Sequence, residues 1–309
     1  MDIKTVTHQH PIAPSELIVT EEGRIYHLDL HPDDIADDII VVGDQERVPR
    51  VSQHFEKIDF KRTKREFVTH TGEYNGKRIS VLSTGIGCDN IDIVINELDT
   101  LVNIDLETRL PKSNHRKLNI VRIGTSGALQ EDIPVDSFVL STYGLGFDGL
   151  LGFYDVDYSE EEKGLAKAFL QQTPWPVAAN SPYFVKGSEF LKEKLGHGMH
   201  QGITATANGF YGPQGRSLRL GAKVPNLNEY LNRFEHKGNR ITNFEMETSA
   251  LYGLCALLGH EAGTVCAIIA NRFSKSYSKD YKKTVDQLIE LTLHRLTQYA
   301  TFILEVRRK

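Results

Sequence analysis

Two acids flank Met246 in the stretch NFEMETSALYGL, and a run of apolar residues at helical spacing follows at once. Acids favour the positive end of a helix, and Thr242 with Glu245 three residues later fits a capping box. That accounts for Glu245. Glu247 is different, because Ala250, Leu251, Leu254 and Leu258 continue the stripe on which it lies, and that stripe should face the core. A carboxylate there must find a partner or line a cavity, since an unpaired buried charge is too costly to keep.

Other chemistry gathers where short β-rich runs end. GDQER supplies Gly43 and Arg47, RIGTSG supplies Arg122, Thr125 and Ser126, and FYGPQGR supplies Phe210, Gln214 and Arg216. Glycine lets backbone amides approach an oxyanion, and the arginine fork matches phosphate. Each segment alone also suits a surface salt bridge or a tight turn; together they suggest a phosphate site. No GxxxxGK[ST] loop is present, and GIGCDN lacks the third glycine of a dinucleotide fingerprint. His197 and His200 in GHGMH have no third ligand at useful spacing, so a turn with two surface histidines is expected there and no metal site.

The elements that must position these residues follow a simple alternation. Strands are expected at 38–44, 78–87, 118–127, 136–146, 201–212 and 263–273, several apolar on both faces as in a covered sheet. Helical spacing occupies 90–104, 161–172 and 246–258, and the segment from 280 to the C-terminus reads as one long amphipathic helix. Strands alternating with helices imply an α/β layered fold around a largely parallel sheet. Residues 1–26, with Pro11 and Pro14, read as an arm lying over the domain or reaching to a neighbour, and 27–309 as a single domain.

The 309 residues are 40% hydrophobic and 25% charged, enough to bury a sizeable core. A net charge of −5 gives no general attraction to nucleic acid or acidic membranes, so an anion site must be a local positive cluster. Three cysteines without CxxC spacing argue against a disulfide framework; MDIKTVTHQHP lacks the apolar core of a signal peptide and no apolar run approaches membrane length, so neither export nor membrane insertion is expected. A cytoplasmic location is expected.

In order along the chain, YHLDL, GDQERV, KREF, STGIG, RIGTSGAL, FYGPQGR, NFEMET and IIANR resemble the nucleoside phosphorylase family, most closely its uridine-cleaving members. The resemblance implies a three-layer α/β/α sandwich with a mixed, partly barrel-like central sheet. It makes Gly43, Arg47, Arg122 and Thr125 a phosphate site, completed by Arg65 of a neighbouring subunit. His27, likewise from the neighbour, would reach the ribose 5′-hydroxyl; Glu247 would accept from the ribose hydroxyls, Met246 would pack on the sugar, and Glu245 would support the loop or contact the ribose edge. Ser126, Gly127, Phe210, Gln214 and Arg216 would hold the base, with Arg272 behind them. Without the resemblance, KRTKREF reads as a solvated basic run and His27 as an interfacial or core histidine.

The implied reaction is reversible phosphorolysis of uridine to uracil and ribose 1-phosphate, with phosphate as co-substrate and no metal or organic cofactor. Where purine-cleaving relatives carry a catalytic aspartate, this sequence reads ANRFSKSY, which selects pyrimidine. The implied partners are small molecules and further copies of the chain, in dimers with shared sites or a ring of such dimers. A monovalent cation at the dimer interface is left open: Glu66 and Ile86 match that pattern, and Asn90 replaces the usual serine. Rival readings are a purine or methylthioadenosine phosphorylase, a nucleosidase of the same superfold, and a noncatalytic nucleoside sensor.

Overall fold

A computed structural model describes residues 10–298. Among the described residues, fourteen strands are interspersed with seven α-helices. The first four strands are β1 (Asp38–Val42), β2 (Lys57–Lys64), β3 (Phe67–Tyr74) and β4 (Lys77–Ser83), followed by a small ribbon of β5 (Ile104–Asp105) and β6 (Leu110–Pro111). Then come β7 (Asn119–Ala128), β8 (Phe138–Gly146), β9 (Tyr183–Lys186), β10 (His200–Thr206), β11 (Glu235–His236), β12 (Asn239–Glu245), β13 (Glu261–Asn271) and β14 (Ser276–Tyr277). The helices are α1 (Arg47–Ser52), α2 (Cys88–Asn103), α3 (Glu160–Gln172), α4 (Glu189–Leu195), α5 (Leu227–Arg233), α6 (Thr248–Leu258) and α7 (Tyr281–Thr297).

Strand β1 explains the layering. Its five residues are all buried, and successive side chains point to opposite faces. Ile39 and Val41 join one apolar cluster with α2 and α6, while Ile40 and Val42 join another with α1, α4 and α7. Both faces are therefore covered by helices, as a parallel sheet requires. Along α2, Ile91, Val94, Ile95, Leu98, Leu101 and Val102 are buried at helical spacing.

The twelve-stranded main sheet runs β11-β12-β10-β8-β13-β7-β1-β4-β3-β2, with β9 on β8 and β14 on β13. A further antiparallel pairing of β7 with β12, through Gly127–Phe244 and Ala128–Asn243, closes β12, β10, β8, β13 and β7 into a five-stranded ring. The mixed, partly barrel-like sheet expected from the family resemblance is the one present.

Some boundaries differ from the sequence reading. Thr242 and Glu245 lie on β12, so they form no capping box; α6 begins at Thr248, with Glu247 as its N-cap residue. Polar but hydrogen-bonded residues such as Asn243 hide the strand from a pattern search: its amide donates to Ser126 Oγ at 2.9 Å. KRTKREF is the β2–β3 hairpin, with Arg65 at its turn at a φ of 54°. The C-terminal helix ends at Thr297, and the basic tail read as its continuation lies outside the described residues, as does the start of the N-terminal arm. Residues of the arm that are described pack on the domain, with Leu17 and Ile25 buried in the α2/α6 cluster.

Candidate active site

A cavity of about 870 Å³ opens at the ends of β1, β4, β7, β12 and β13. Its lining brings together Gly43, Arg47, Arg122 and Thr125, then Glu245, Met246 and Glu247, then Ser126, Gly127, Phe210, Gln214 and Arg216. Three expected site residues are absent from that lining: His27, Arg65 and Arg272. His27 Nδ1 lies 2.6 Å from Glu97 Oε1, and the same carboxylate accepts the backbone N–H groups of His27 and Leu28. Arg65 lies over the Tyr26 ring at 5.9 Å. Arg272 sits behind the cavity wall, its Nε 3.7 Å from where a side chain on Gly127 would begin.

At the inner end the charges are concentrated. Arg122, buried to 5% exposure, pairs with Glu247 through Nη2 and with Glu245 through Nη1 at 3.3 Å. Burial pushes the Glu247 carboxyl above its ordinary pKa; Arg122 pulls the other way, and Glu245 adds to the rise. Burial alone would lower the Arg122 guanidinium, but Glu247 and Glu245 beside it hold it above its usual value. Arg47 is lowered by burial and by its neighbour Arg122. Its Nη1 donates to Ile123 O at 3.1 Å, and among the described residues it forms no salt bridge. Nε of Arg122 is a buried donor with no partner. Two adjacent guanidinium groups with donor capacity to spare suit a bound anion.

The two glutamates have separate tasks. Glu245 is saturated by the protein: its Oε1 accepts from Thr206 Oγ1 at 2.7 Å and its Oε2 from the Glu247 N–H at 2.9 Å, while Thr248 N–H reaches both. From the end of β12 it caps α6, whose first N–H groups have no partners within the helix. Glu247 accepts from Gly87 N–H at 2.8 Å and from Arg122, leaving lone pairs for two hydroxyl groups. Behind them, Asp148 accepts from Ser249 Oγ at 2.9 Å and Tyr183 OH at 2.8 Å, anchoring the first turn of α6. Sequence reasoning missed this network, whose members lie on β9, α6 and the loop after β8. Gly144 lets α6 approach, since a Cβ there would sit 2.7 Å from Ser249 Cα.

At the outer end, Gln214 is buried and its Oε1 accepts from Arg216 Nη1 at 2.5 Å. Arg216 also donates to Phe210 O and stacks on the Phe210 ring at 3.6 Å. Burial and then the repulsion of Arg272 push Arg216 down to about 10, still a cation at neutral pH. Because the guanidinium faces Oε1, the amide orientation is fixed: one oxygen with a spare lone pair, one NH₂ free to donate.

Further out, Asn90 Nδ2 donates to Ile86 O at 3.4 Å, and Glu66 lines the same rim. Asp99, His115 and His260 form a separate group of metal-capable side chains. His260 Nδ1 accepts Leu118 N–H, which puts the ring proton on Nε2 facing Asp99 at 3.1 Å. A metal on Nε2 would need the proton on Nδ1, against a backbone donor, so the group is a hydrogen-bonded link and no ion site.

A sequence profile of the phosphorylase superfamily matches residues 37–300. The chain belongs to that superfamily. The uridine phosphorylase of Thermococcus kodakarensis is 34% identical to this phosphorylase over 271 residues, 85% of this chain and 83% of the relative. A DeoD-type purine nucleoside phosphorylase of Bacillus thuringiensis is 26% identical over 277 residues, 88% and 98% of the two chains. Among solved structures, that of a Trypanosoma brucei nucleoside phosphorylase showing uridine phosphorylase activity superposes with a TM-score of 0.83. It is 29% identical, and the match covers 91% of this chain and 99% of that one. This member of the phosphorylase superfamily is thus a nucleoside phosphorylase, a pentosyltransferase whose substrates are a nucleoside and inorganic phosphate. Among its described residues, no helix is long and apolar enough to cross a membrane.

Proposed function

We propose that the nucleoside is a pyrimidine one, with uridine the preferred substrate, and that the products are uracil and ribose 1-phosphate. The observation that carries this reading is Gln214, buried at the base end of the cavity with its amide orientation held by Arg216. A fixed amide oxygen suits the N3–H of uracil, the adjacent NH₂ suits a ring carbonyl, and Arg216 suits the other. Cytosine presents an acceptor at N3 and would meet that oxygen unfavourably. The acids lining the cavity are Asp44, Glu66, Glu245 and Glu247, none from the base-end segment 272–280, so that segment supplies no acid for a purine N7.

Phosphate on Arg47, Arg122, the Gly43 loop and Thr125 near the end of β7 would face C1′ of a ribose whose hydroxyls donate to Glu247. As the C1′–N1 bond breaks, its electron pair enters the uracil ring, and a phosphate oxygen forms the new C1′–O bond from the opposite face. Gln214 and Arg216 stabilise the charge growing on the ring carbonyls, and the phosphate anion stabilises the cationic ribosyl group. The proton that uracil finally carries comes from phosphate or solvent. Preorganised donors aimed at developing charge are sufficient for such a step.

His27 and Arg65 lie outside the cavity of their own chain, which supports a twofold dimer in which each copy lends both residues to the other. Glu97 holds His27 by Nδ1 and leaves Nε2 as the ring's other polar atom. The test of the whole reading is release of uracil from uridine with and without phosphate, beside inosine. Phosphate-dependent release from uridine alone is expected. Cleavage of inosine in preference would favour the purine branch, and binding without cleavage a sensor.

A further inference from the structure

A second cavity, of about 430 Å³, shares a wall with the first. That wall is the Gly212–Gln214 turn: Gly212 and Pro213 line the second cavity, while Gln214 lines the first. Another wall is aromatic, Trp175 beside Phe147 with ring centroids 4.5 Å apart. It is fixed in place, since Trp175 Nε1 donates to Asn180 O and Asn180 Nδ2 to Asp148 O, each at 2.8 Å. The Asp148 carboxylate in turn holds Ser249 in the first turn of α6. The second cavity therefore borders both the turn that carries Gln214 and the loop that anchors the helix behind Glu247.

Its chemistry differs from that of the first. Lys223 is the one charged residue in its lining, which holds no acid. Among the described residues Lys223 forms no salt bridge and the Asn208 side chain no hydrogen bond. A Cβ on Gly212 or Gly221 would meet no atom within 4 Å, so both positions border open space. The volume lies within the roughly 300–1,000 Å³ of small-molecule sites. A flat ring can stack on the tryptophan, and an asparagine amide offers the donor and acceptor that match N7 and the N6 amino group of adenine. The lysine suits a phosphate.

We propose that this cavity is an effector site for an adenine nucleotide, which backs the Gly212–Gln214 turn and tightens binding of the pyrimidine base on its other side. The effect on uridine rests on the pyrimidine reading above; occupancy of the cavity does not. A ring seated against Pro213 orders the turn for both ligands, so the second to bind loses less conformational entropy. By linkage, uracil tightens the nucleotide by the factor with which the nucleotide tightens uracil.

Trp175 is the one tryptophan of the chain, so its fluorescence reports on this cavity. The test titrates adenosine monophosphate and adenosine against wild type, Lys223→Ala and Gly221→Leu, and measures uridine phosphorolysis at fixed phosphate with and without the nucleotide. The nucleotide should change the fluorescence saturably and lower KM for uridine about 5-fold with kcat unchanged, the low end of couplings between sites. Lys223→Ala should weaken its binding roughly 5-fold, the contribution of an exposed ion pair. Gly221→Leu should fill the cavity and abolish binding, and both variants should keep wild-type kinetics when no nucleotide is present. Adenosine that binds as tightly as its monophosphate overturns the nucleotide assignment, and binding that leaves KM unmoved overturns the coupling. Uracil that displaces the nucleotide instead of tightening it would place both in the first cavity and overturn the site, as would the absence of any saturable fluorescence change. Wild type that cleaves no pyrimidine nucleoside refutes the pyrimidine reading alone, because the titration still measures the second cavity.

Discussion

Replacing Glu247 with glutamine removes one charge and nothing of the shape, and the surroundings make the cost calculable. Oε1 faces the Gly87 N–H and Oε2 faces the Arg122 guanidinium, so both oxygens of the carboxylate meet donors. A glutamine NH₂ must therefore oppose a donor whichever way the amide is turned. The variant also loses a charge-assisted hydrogen bond, about 1.5–3 kcal/mol. Arg122 retains Glu245 at 3.3 Å, which keeps the loss below the roughly 3–5 kcal/mol of a buried ion left wholly unpaired. A destabilisation of about 2–4 kcal/mol is expected from these two contributions. Urea unfolding should show a lower midpoint with an unchanged slope. Under conditions where the variant is folded, kcat/KM for uridine should fall roughly 30- to 150-fold, the kinetic equivalent of about 2–3 kcal/mol at the ribose hydroxyls. Wild-type stability together with wild-type kcat/KM would refute both the ion-pair argument and the ribose role. Lost stability with unchanged kinetics would refute the ribose role alone.

Arg216→Ala should lower turnover with uridine by about 2.7–4 kcal/mol of transition-state stabilisation, measured as kcat, since a donor to the departing ring is gone. Gly144→Ala should destabilise the fold by about 1–3 kcal/mol in urea, because its Cβ meets the α6 backbone, and should slow phosphorolysis by shifting Glu247. The raised Glu247 pKa fixes the sign of two pH effects. Protonation removes the ribose acceptor, so kcat/KM should fall on the acid side at a pH above the ordinary glutamate range. For stability the same shift acts oppositely: the folded state holds the proton more tightly, so this group's stabilising contribution is full below the unfolded pKa and is lost as pH rises through the folded one. Glu247→Gln should flatten that dependence in thermal unfolding. Finally, mixing His27→Ala with Glu247→Ala subunits should restore about a quarter of wild-type activity if random exchange makes half the dimers mixed, each with one intact site. Failure of any activity to return on mixing, once subunit exchange is verified, would contradict the shared site.

Much of this arrangement can be read from the residues because local pattern and chemistry coincide there. The runs DIIVVGD and LNIVRIGTSG end in glycine, arginine and hydroxyl residues at the ends of β1 and β7, where the cavity lies. The family resemblance then assigned subsites that composition left open. The hairpin of β2 and β3 was hidden because β2 is an edge strand whose burial merely alternates between exposed and partial, with lysine and arginine in place of apolar residues. Glu245 was misassigned to a helix start because its strand is filled by polar residues satisfied at long range. The bonds that define the site, such as Gly87 N–H to Glu247 across 160 positions, leave no local signature.

The five-stranded ring closes through only two residue pairs, at Gly127 and Ala128, and Gly127 and Phe244 also line the base end of the cavity. The seam of the ring and the seat of the ligand are thus the same few peptide groups. A bound base would act as a clasp across that seam, so amide hydrogens of β7 and β12 near the closure should exchange with solvent more slowly in its presence, while those of the distant β2–β3 hairpin should not respond. Breathing of the barrel and escape of the ligand would then be one event, and the lifetime of the complex would report how often the ring comes open.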